Sequence, residues 1–186
     1  MNIMMKFLIL VWFAMGLSVR AADSSVVALQ TVGQVPTNLV VRVAGWVSEQ
    51  IAPVTNAGPL RLKAKSLDSV ALSLTTPAAS GTSQHVILVL VAKMEKDSRF
   101  SSAMKGVAVV NVGAMQPADL STEAARETFG RRVEKEAVGG VALAMGMPAC
   151  PLIYCALYSA QSLEELDQKA RGLCPPCMGK LEASRQ

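Results

Sequence analysis

The stretch that decides the fold is KEAVGGVALAMGMPAC, residues 135–150, because it closes a long helix and ends on a cysteine. From residue 125 into this stretch, apolar residues recur every four positions and predict one buried helical face: Ala125, Phe129, Val133, Ala137 and Val141. Ser121 is the expected N-cap of this helix, with Glu123 in its first turn. Gly139 and Gly140 each cost a helix roughly 1 kcal/mol relative to alanine. We therefore expect either close packing at this point or a break in the helix.

Four cysteines follow with the spacing Cys150-x4-Cys155-x18-Cys174-x2-Cys177. Two close pairs separated by a short helical segment match a closed zinc site, because tetrahedral Zn²⁺ takes four thiolates at about 2.3 Å. Two disulfides are an alternative in an exported protein. A redox-active C-x-x-C pair is another, but such a pair normally opens a helix after a strand. Here it is expected to follow a helix, so we favour zinc.

Residues 135–150 resemble the active-site helix of the archaemetzincins, whose pattern is K-E-A-x-H-E-x-x-H-x-x-G-x-x-H-C. The clear match covers about residues 131–181. The framework letters that match are Lys135-Glu136-Ala137, Gly146, Cys150, Cys155, the segment 162–167, Cys174-Pro175-Pro176-Cys177 and Lys180-Leu181. The resemblance implies an α/β (α+β) fold: a compact metzincin-like single domain with a mixed sheet, the long motif helix and a C-terminal helical segment stapled by the four cysteines.

The resemblance also implies where a catalytic zinc would lie, and every catalytic letter differs here. Gly139 and Leu143 stand where the first two zinc-binding histidines would be. Gly140 takes the place of the catalytic glutamate and Ala149 that of the third ligand, while Leu157 replaces the methionine beneath the metal. A zinc hydrolase needs three protein ligands and a general base. We therefore predict one structural zinc per chain, no catalytic zinc and no peptidase activity.

Two polar residues near the motif receive ordinary structural interpretations. Glu136 is expected to form a helix ion pair with Arg132 at i−4. His85, the one histidine of the chain, is expected to be an ordinary residue at the end of a strand. With small and apolar residues at the ligand positions, the former cleft should be apolar. It is then either filled core or a dry groove that receives an extended peptide beside an edge strand.

Residues 1–21 have the pattern of a secretory signal peptide. Lys6 supplies the positive start, an apolar run follows, and Val19 and Ala21 are the small residues before cleavage. The run is shorter than the roughly 20 residues of a transmembrane helix. We expect a secreted or periplasmic protein with no transmembrane anchor after cleavage.

The rest of the chain is expected to hold a lead-in, residues 22–35, and an archaemetzincin-like domain, residues 36–186. Its elements should be a helix from Pro36, a short strand around 60–62, an ambiguous segment 66–75, a loop at 76–81, two buried neighbouring strands at 85–91 and 106–112, and a capped helix from Ser162 that stops at Gly172. Signal removal lowers the net charge from +4 to +2. This weak, dispersed charge argues against a nucleic-acid partner.

The sequence thus predicts an exported pseudopeptidase with a binding or scaffolding role, and a peptide or protein partner in the former active-site cleft. The first alternative is a disulfide-bonded or thiol-redox envelope protein that uses the pair Cys174 and Cys177. A less favoured alternative is a hydrolase that uses unrelated residues.

Overall fold

The computed structural model describes residues 25–62, 65–75, 85–94 and 97–185. Five strands form one mixed sheet: β1 Val26–Val32, β2 Val54–Leu60, β3 His85–Val91, β4 Ser101–Met104 and β5 Val107–Asn111. Their order is β2-β1-β3-β5-β4, with β4 antiparallel to β5 and the other pairs parallel. The predicted mixed α/β fold is confirmed, including the two buried neighbouring strands β3 and β5.

The described ranges contain five α-helices, which pack on the two faces of the sheet: α1 Thr37–Gln50, α2 Leu67–Leu74, α3 Glu123–Ala144, α4 Leu163–Gln168 and α5 Pro175–Ala183. The ambiguous segment 66–75 is helical because Ser66 and Ser69 form a capping box, in which each side chain accepts from the backbone N–H of the other. The expected loop at 76–81 and the signal peptide lie outside the described residues. None of the helices in the described ranges has both the length and the apolar composition to span a membrane.

The segment before α1 corrects one boundary. We expected residues 22–35 to be a lead-in to a domain that starts at residue 36. The backbone is extended as expected, but β1 lies between β2 and β3 and pairs with both. Val27 and Leu29 are fully buried. The domain therefore includes β1. Its sequence, VVALQTV, does not alternate between apolar and polar residues, although buried and half-buried positions alternate at its start.

The sheet separates two apolar layers. One contains α1, α3 and the C-terminal segment, packed on the face that carries Leu29, Leu88 and Val110. The smaller layer contains α2 and the opposite face, with Val89 and Val109. Strands such as β3 and β5 are apolar on both sides because each side faces a layer.

Edge strand β4 was not predicted. Its four residues are small or half-buried and carry no apolar run, so the sequence gives no strand pattern there. The chain returns into β5 through Gly106, whose φ of 81° lies in the left-handed region. This short hairpin places Ser101 and Ser102 at the outer edge of the sheet, beside α3.

The boundaries of two predicted helices also differ from expectation. Thr122 caps α3, since its side chain accepts from the N–H of Ala125, so the N-cap lies one residue after Ser121. Ser162 caps α4 as predicted. That helix ends at Gln168 and not at Gly172, because the backbone of its C-cap, Lys169, leaves the helical region with a ψ of 140°. The ammonium of Lys135 donates to the last-turn carbonyls of Leu166 and Asp167.

Candidate functional site

A cleft of about 400 Å³ lies between α3, β4 and the segment 156–161. The residues at the four positions that the resemblance assigns to ligands and base all line it: Gly139, Gly140, Leu143 and Ala149. Leu157 lines it too, whereas His85 lies at the start of β3 and is not among the lining residues. The structure therefore brings the predicted positions together on one surface that offers no imidazole.

The two helix glycines are explained by close packing. A Cβ at Gly139 would overlap the carbonyl oxygen of Ala156, and a Cβ at Gly140 would lie 3.3 Å from Cβ of Ala108 on β5. The helix is continuous through both positions and ends at Ala144. Of the two outcomes that the sequence left open, packing is the one found. A side chain at residue 139 would require the loop that carries Ala156 to move away.

The floor of the cleft carries a buried ion pair. Glu136 Oε1 accepts from Nζ of Lys169 at 2.5 Å, and its other oxygen accepts from the Ser101 hydroxyl. The two charged side chains are only 7% and 3% exposed. A Cβ on Gly139 would lie 3.5 Å from the Lys169 ammonium. A cation thus lies beside the position that the resemblance assigns to the first zinc ligand.

The prediction of an ion pair between Glu136 and Arg132 is wrong. Arg132 instead binds Asp167 of α4 through two bonds of 2.7 and 2.6 Å, which holds the pKa of that carboxyl below its ordinary value. Glu136 faces the cleft, where the chain that leaves α4 delivers Lys169. These two residues are 33 positions apart, so no local pattern links them.

The cleft is also more polar than expected. Besides the ion pair, its lining includes several hydroxyl and amide side chains and one guanidinium: Ser98, Arg99, Ser101, Ser102, Ser159 and Gln161. The expectation of an apolar, filled or dry cleft considered only the residues of the motif. The polar lining comes from β4, from the segment after Leu157 and from Lys169, which the motif does not include.

The four cysteines converge as their spacing predicts. Their sulfur atoms all lie within 4.8 Å of one another, and Sγ of Cys150 is 3.9 Å from Sγ of Cys174. Zinc–sulfur bonds of about 2.3 Å in a tetrahedron place sulfurs about 3.8 Å apart. The donor set and the span therefore fit one tetrahedral metal ion, held by the turn that contains Cys150 and Cys155 and by the start of α5.

The thiols differ in their surroundings. Burial raises the pKa of Cys155 and of Cys177 above the ordinary thiol value. For Cys174 desolvation acts in the same direction, but the backbone N–H of Cys177 and the neighbouring thiols outweigh it and lower the pKa. Four sulfurs this close, two of them buried, ionise together only when a cation compensates their charge. The cluster is built for a metal ion.

The position of the pair Cys174 and Cys177 bears on the redox alternative. Cys174 is the N-cap of α5, and Pro175 and Pro176 occupy its first positions. The C-x-x-C pair therefore opens a helix, which is one of the two features of a redox pair. The pair follows α4 and not a strand, as the sequence predicts, so the second feature is missing.

Comparison with known proteins rests on solved structures, since no family model and no curated protein matches the chain. The archaemetzincin from Methanopyrus kandleri has a TM-score of 0.69 and 24% identity, over 89% of this chain and 97% of that one. A zinc-dependent peptidase from Methanocorpusculum labreanum has a TM-score of 0.65 and 19% identity, over 83% and 99%. The archaemetzincin from Archaeoglobus fulgidus complexed with malonate has a TM-score of 0.60 and 21% identity, over 87% and 99%.

These likenesses define the fold of the chain. It is a fold found in zinc peptidases. More specifically, it is the fold of the archaemetzincins, as the motif helix and the cysteine spacing predict.

Proposed function

We propose that this chain is an archaemetzincin-like protein without peptidase activity, whose role is binding. The observation that carries the proposal is the lining of the cleft: Gly139, Gly140, Leu143 and Ala149. Their side chains offer neither a metal ligand nor a general base, and a zinc hydrolase needs both. Glu136 is a poor candidate for the general base, because its two carboxylate oxygens already accept hydrogen bonds from Lys169 and Ser101.

The four-cysteine cluster supports a structural role for zinc, with one ion per chain. Cys150, Cys155, Cys174 and Cys177 would hold it with all four positions filled, which leaves no site for water or substrate. Cys155 is followed directly by Ala156, whose carbonyl packs on Gly139. Metal at the cluster would therefore also fix one wall of the cleft.

The proposal also covers the location of the protein and the class of its partner. The signal-like residues 1–21 support export to the periplasm or the medium. The cleft, bounded by edge strand β4, supports a peptide or protein segment as partner. The low net charge of the chain argues against nucleic acid.

The test is a peptidase assay on zinc-loaded, purified mature protein, with a broad set of fluorogenic peptides, together with metal analysis of the same material. We expect no cleavage and one zinc per chain. Cleavage that a chelator abolishes and that is lost in Leu143→Asn would contradict the proposal. A parallel screen with ester and glycoside substrates tests the third hypothesis, a hydrolase that uses unrelated residues.

One observation favours a second candidate, a thiol-redox protein. Cys174 occupies the N-cap position of α5, where the backbone N–H of Cys177 helps to lower the pKa of its thiol against desolvation, and reactive cysteines are found at such positions. Thiol titration separates the two candidates. A zinc site gives four reactive thiols after the metal is removed. A redox pair gives a disulfide between Cys174 and Cys177 that forms and breaks reversibly in a glutathione buffer.

A further inference from the structure

We propose that Lys169 is the anchor of the cleft, where its buried ammonium donates a hydrogen bond to a backbone carbonyl of an extended, uncharged peptide segment. This inference rests on the binding role proposed above and deepens it, because it names the group that holds the ligand and the chemistry of the ligand.

The first argument is an incomplete set of hydrogen bonds. An ammonium has three N–H donors, and within the described residues Lys169 donates only to Glu136. Its side chain is 3% exposed, and buried donors are nearly always paired. Lys135, also buried, shows the usual outcome: it donates to two carbonyls, those of Leu166 and Asp167, at 2.8 Å each. Lys169 therefore retains donor capacity for an acceptor from outside the chain.

The second argument is position. Lys169 lines the cleft, whereas Lys135 does not. The same lining includes the small residues Gly139, Gly140 and Ala156, and the cleft of about 400 Å³ has room for a short stretch of peptide backbone. The lining also includes Ser101 of β4, and β4 is the last strand in the order of the sheet. The outer edge of such a strand pairs readily with an extended segment.

The third argument is charge. Lys169 and Glu136 neutralise each other. The one other cation of the lining, Arg99, binds Asp97 and Asp68. A carboxylate beside Lys169 would place a second, uncompensated negative charge next to Glu136 in a buried site, which is unfavourable. An amide carbonyl accepts the same hydrogen bond and leaves the balance unchanged. The ligand is therefore a neutral peptide segment and not a free carboxyl terminus.

The test uses a pool of randomised nonapeptides, acetylated and amidated at their ends, which is selected on zinc-loaded mature protein. Affinities of enriched peptides are then measured by calorimetry. Lys169→Met alone would leave Glu136 unpaired, so the informative variant is Glu136→Gln with Lys169→Met, which removes both charges and retains the side-chain volumes. Lys180→Met, at an exposed position of α5, is the matched control. A thermal melt verifies that each variant is folded.

We expect the double variant to bind enriched peptides about ten- to a hundred-fold more weakly, as for loss of a hydrogen bond to a charged group, with Lys180→Met unchanged. The peptides should also shift the ¹⁵N resonance of the Lys169 ammonium, which a purely structural lysine would not show. Equal affinity in the double variant would overturn the anchor and leave the binding role intact. An absence of any enriched peptide would overturn both. A ten-fold preference for free-acid over amidated peptides would overturn the neutral acceptor.

Discussion

The cysteine cluster and the cleft both lie near the end of α3, and they differ in the metal-binding side chains that they present. The cysteine cluster presents four sulfurs within 4.8 Å of one another, a complete ligand set for one metal ion. The cleft presents Gly139, Gly140, Leu143 and Ala149 at the positions where the resemblance places a second metal and its base. The cleft floor has an ammonium paired with a carboxylate. One site offers ligands for an added metal ion, and the other contains a cation that is part of the chain.

This difference separates stability from chemistry. A closed four-thiolate site contributes its binding free energy to folding, so losing it affects the segment that carries it. A catalytic site leaves a position open and is typically a strained, polar surface, so its donors can be replaced without loss of the fold. The comparison predicts that mutations at the cluster unfold the C-terminal segment, and that mutations at the cleft floor have smaller effects that depend on charge and space.

The largest effect is expected for Cys174→Ser. It removes one of four ligands, so zinc content should fall well below one per chain. The free energy of unfolding should fall by more than about 5 kcal/mol. Hydrogen exchange should show loss of protection from Cys150 to the end of α5, while β3 and β5 remain protected. Leu152→Ser, at an exposed position between two of the cysteines, is the control and should retain the metal. Full zinc content in Cys174→Ser would contradict the metal assignment.

The next effect is expected at the cleft floor. Lys169→Met leaves the Glu136 carboxylate buried without its cation, which costs about 3–5 kcal/mol in comparable cases. Adding Glu136→Gln should restore most of this loss, because no buried charge then remains. Urea unfolding of the single and double variants measures both values. If the single and double variants were equally unstable, the ion pair would not be the cause.

A smaller effect is expected from the close approach at Gly139. Alanine there gains helix propensity but forces the Ala156 carbonyl away, so a net loss of about 1–3 kcal/mol is expected. Gly45 of α1 has no atom within 4 Å of the added Cβ and lies in an exposed helix position, so Gly45→Ala should stabilise the protein by up to about 1 kcal/mol. Equal changes in the two variants, measured by thermal unfolding, would mean that the Ala156 loop does not press on the helix.

The sequence was sufficient for the parts of the molecule that local patterns encode. The four-residue period of α3, the apolar runs of β3 and β5 and the cysteine spacing each correspond to one element or one site. Strand β1 was placed outside the domain, although its buried residues Val27 and Leu29 alternate with half-buried ones. Strand β4 has no pattern of its own, and its pairing with β5 is what makes it a strand.

The cleft floor could not be predicted from the sequence, because it is made by residues far apart in the chain. Ser101 is 35 positions from Glu136, and Lys169 is 33 positions from it. The motif predicted which positions of the cleft lack a metal-binding side chain, and it placed the two glycines in the helix. The motif contains nothing about Lys169, which lies beside these positions, so it predicts the apolar part of the cleft and not the charged floor.

The smallest effect concerns the rim of the cleft, where Asp97 meets Arg99. The guanidinium and the N–H groups of Arg99 and Leu67 hold the pKa of Asp97 at about 2, below its ordinary value of 3.8. The unfolded chain therefore binds a proton more readily than the folded chain. Asp97 contributes stability above about pH 4, and this contribution is lost as the pH falls through about 2. Because Arg99 is half exposed, solvent screening limits the contribution to about 1 kcal/mol.

Asp97→Asn should therefore lower the free energy of unfolding by about 1 kcal/mol at pH 7. The difference from the wild type should shrink as the pH falls from about 5 towards 2. Urea unfolding across this range measures the difference, and any release of zinc by acid occurs in both proteins and cancels from it. A difference that stays constant with pH would mean that Asp97 acts through its hydrogen-bonding shape and not its charge. In that case charge would contribute nothing to stability at the rim. Within the cleft, a contribution of charge to stability would then be confined to Lys169 and Glu136.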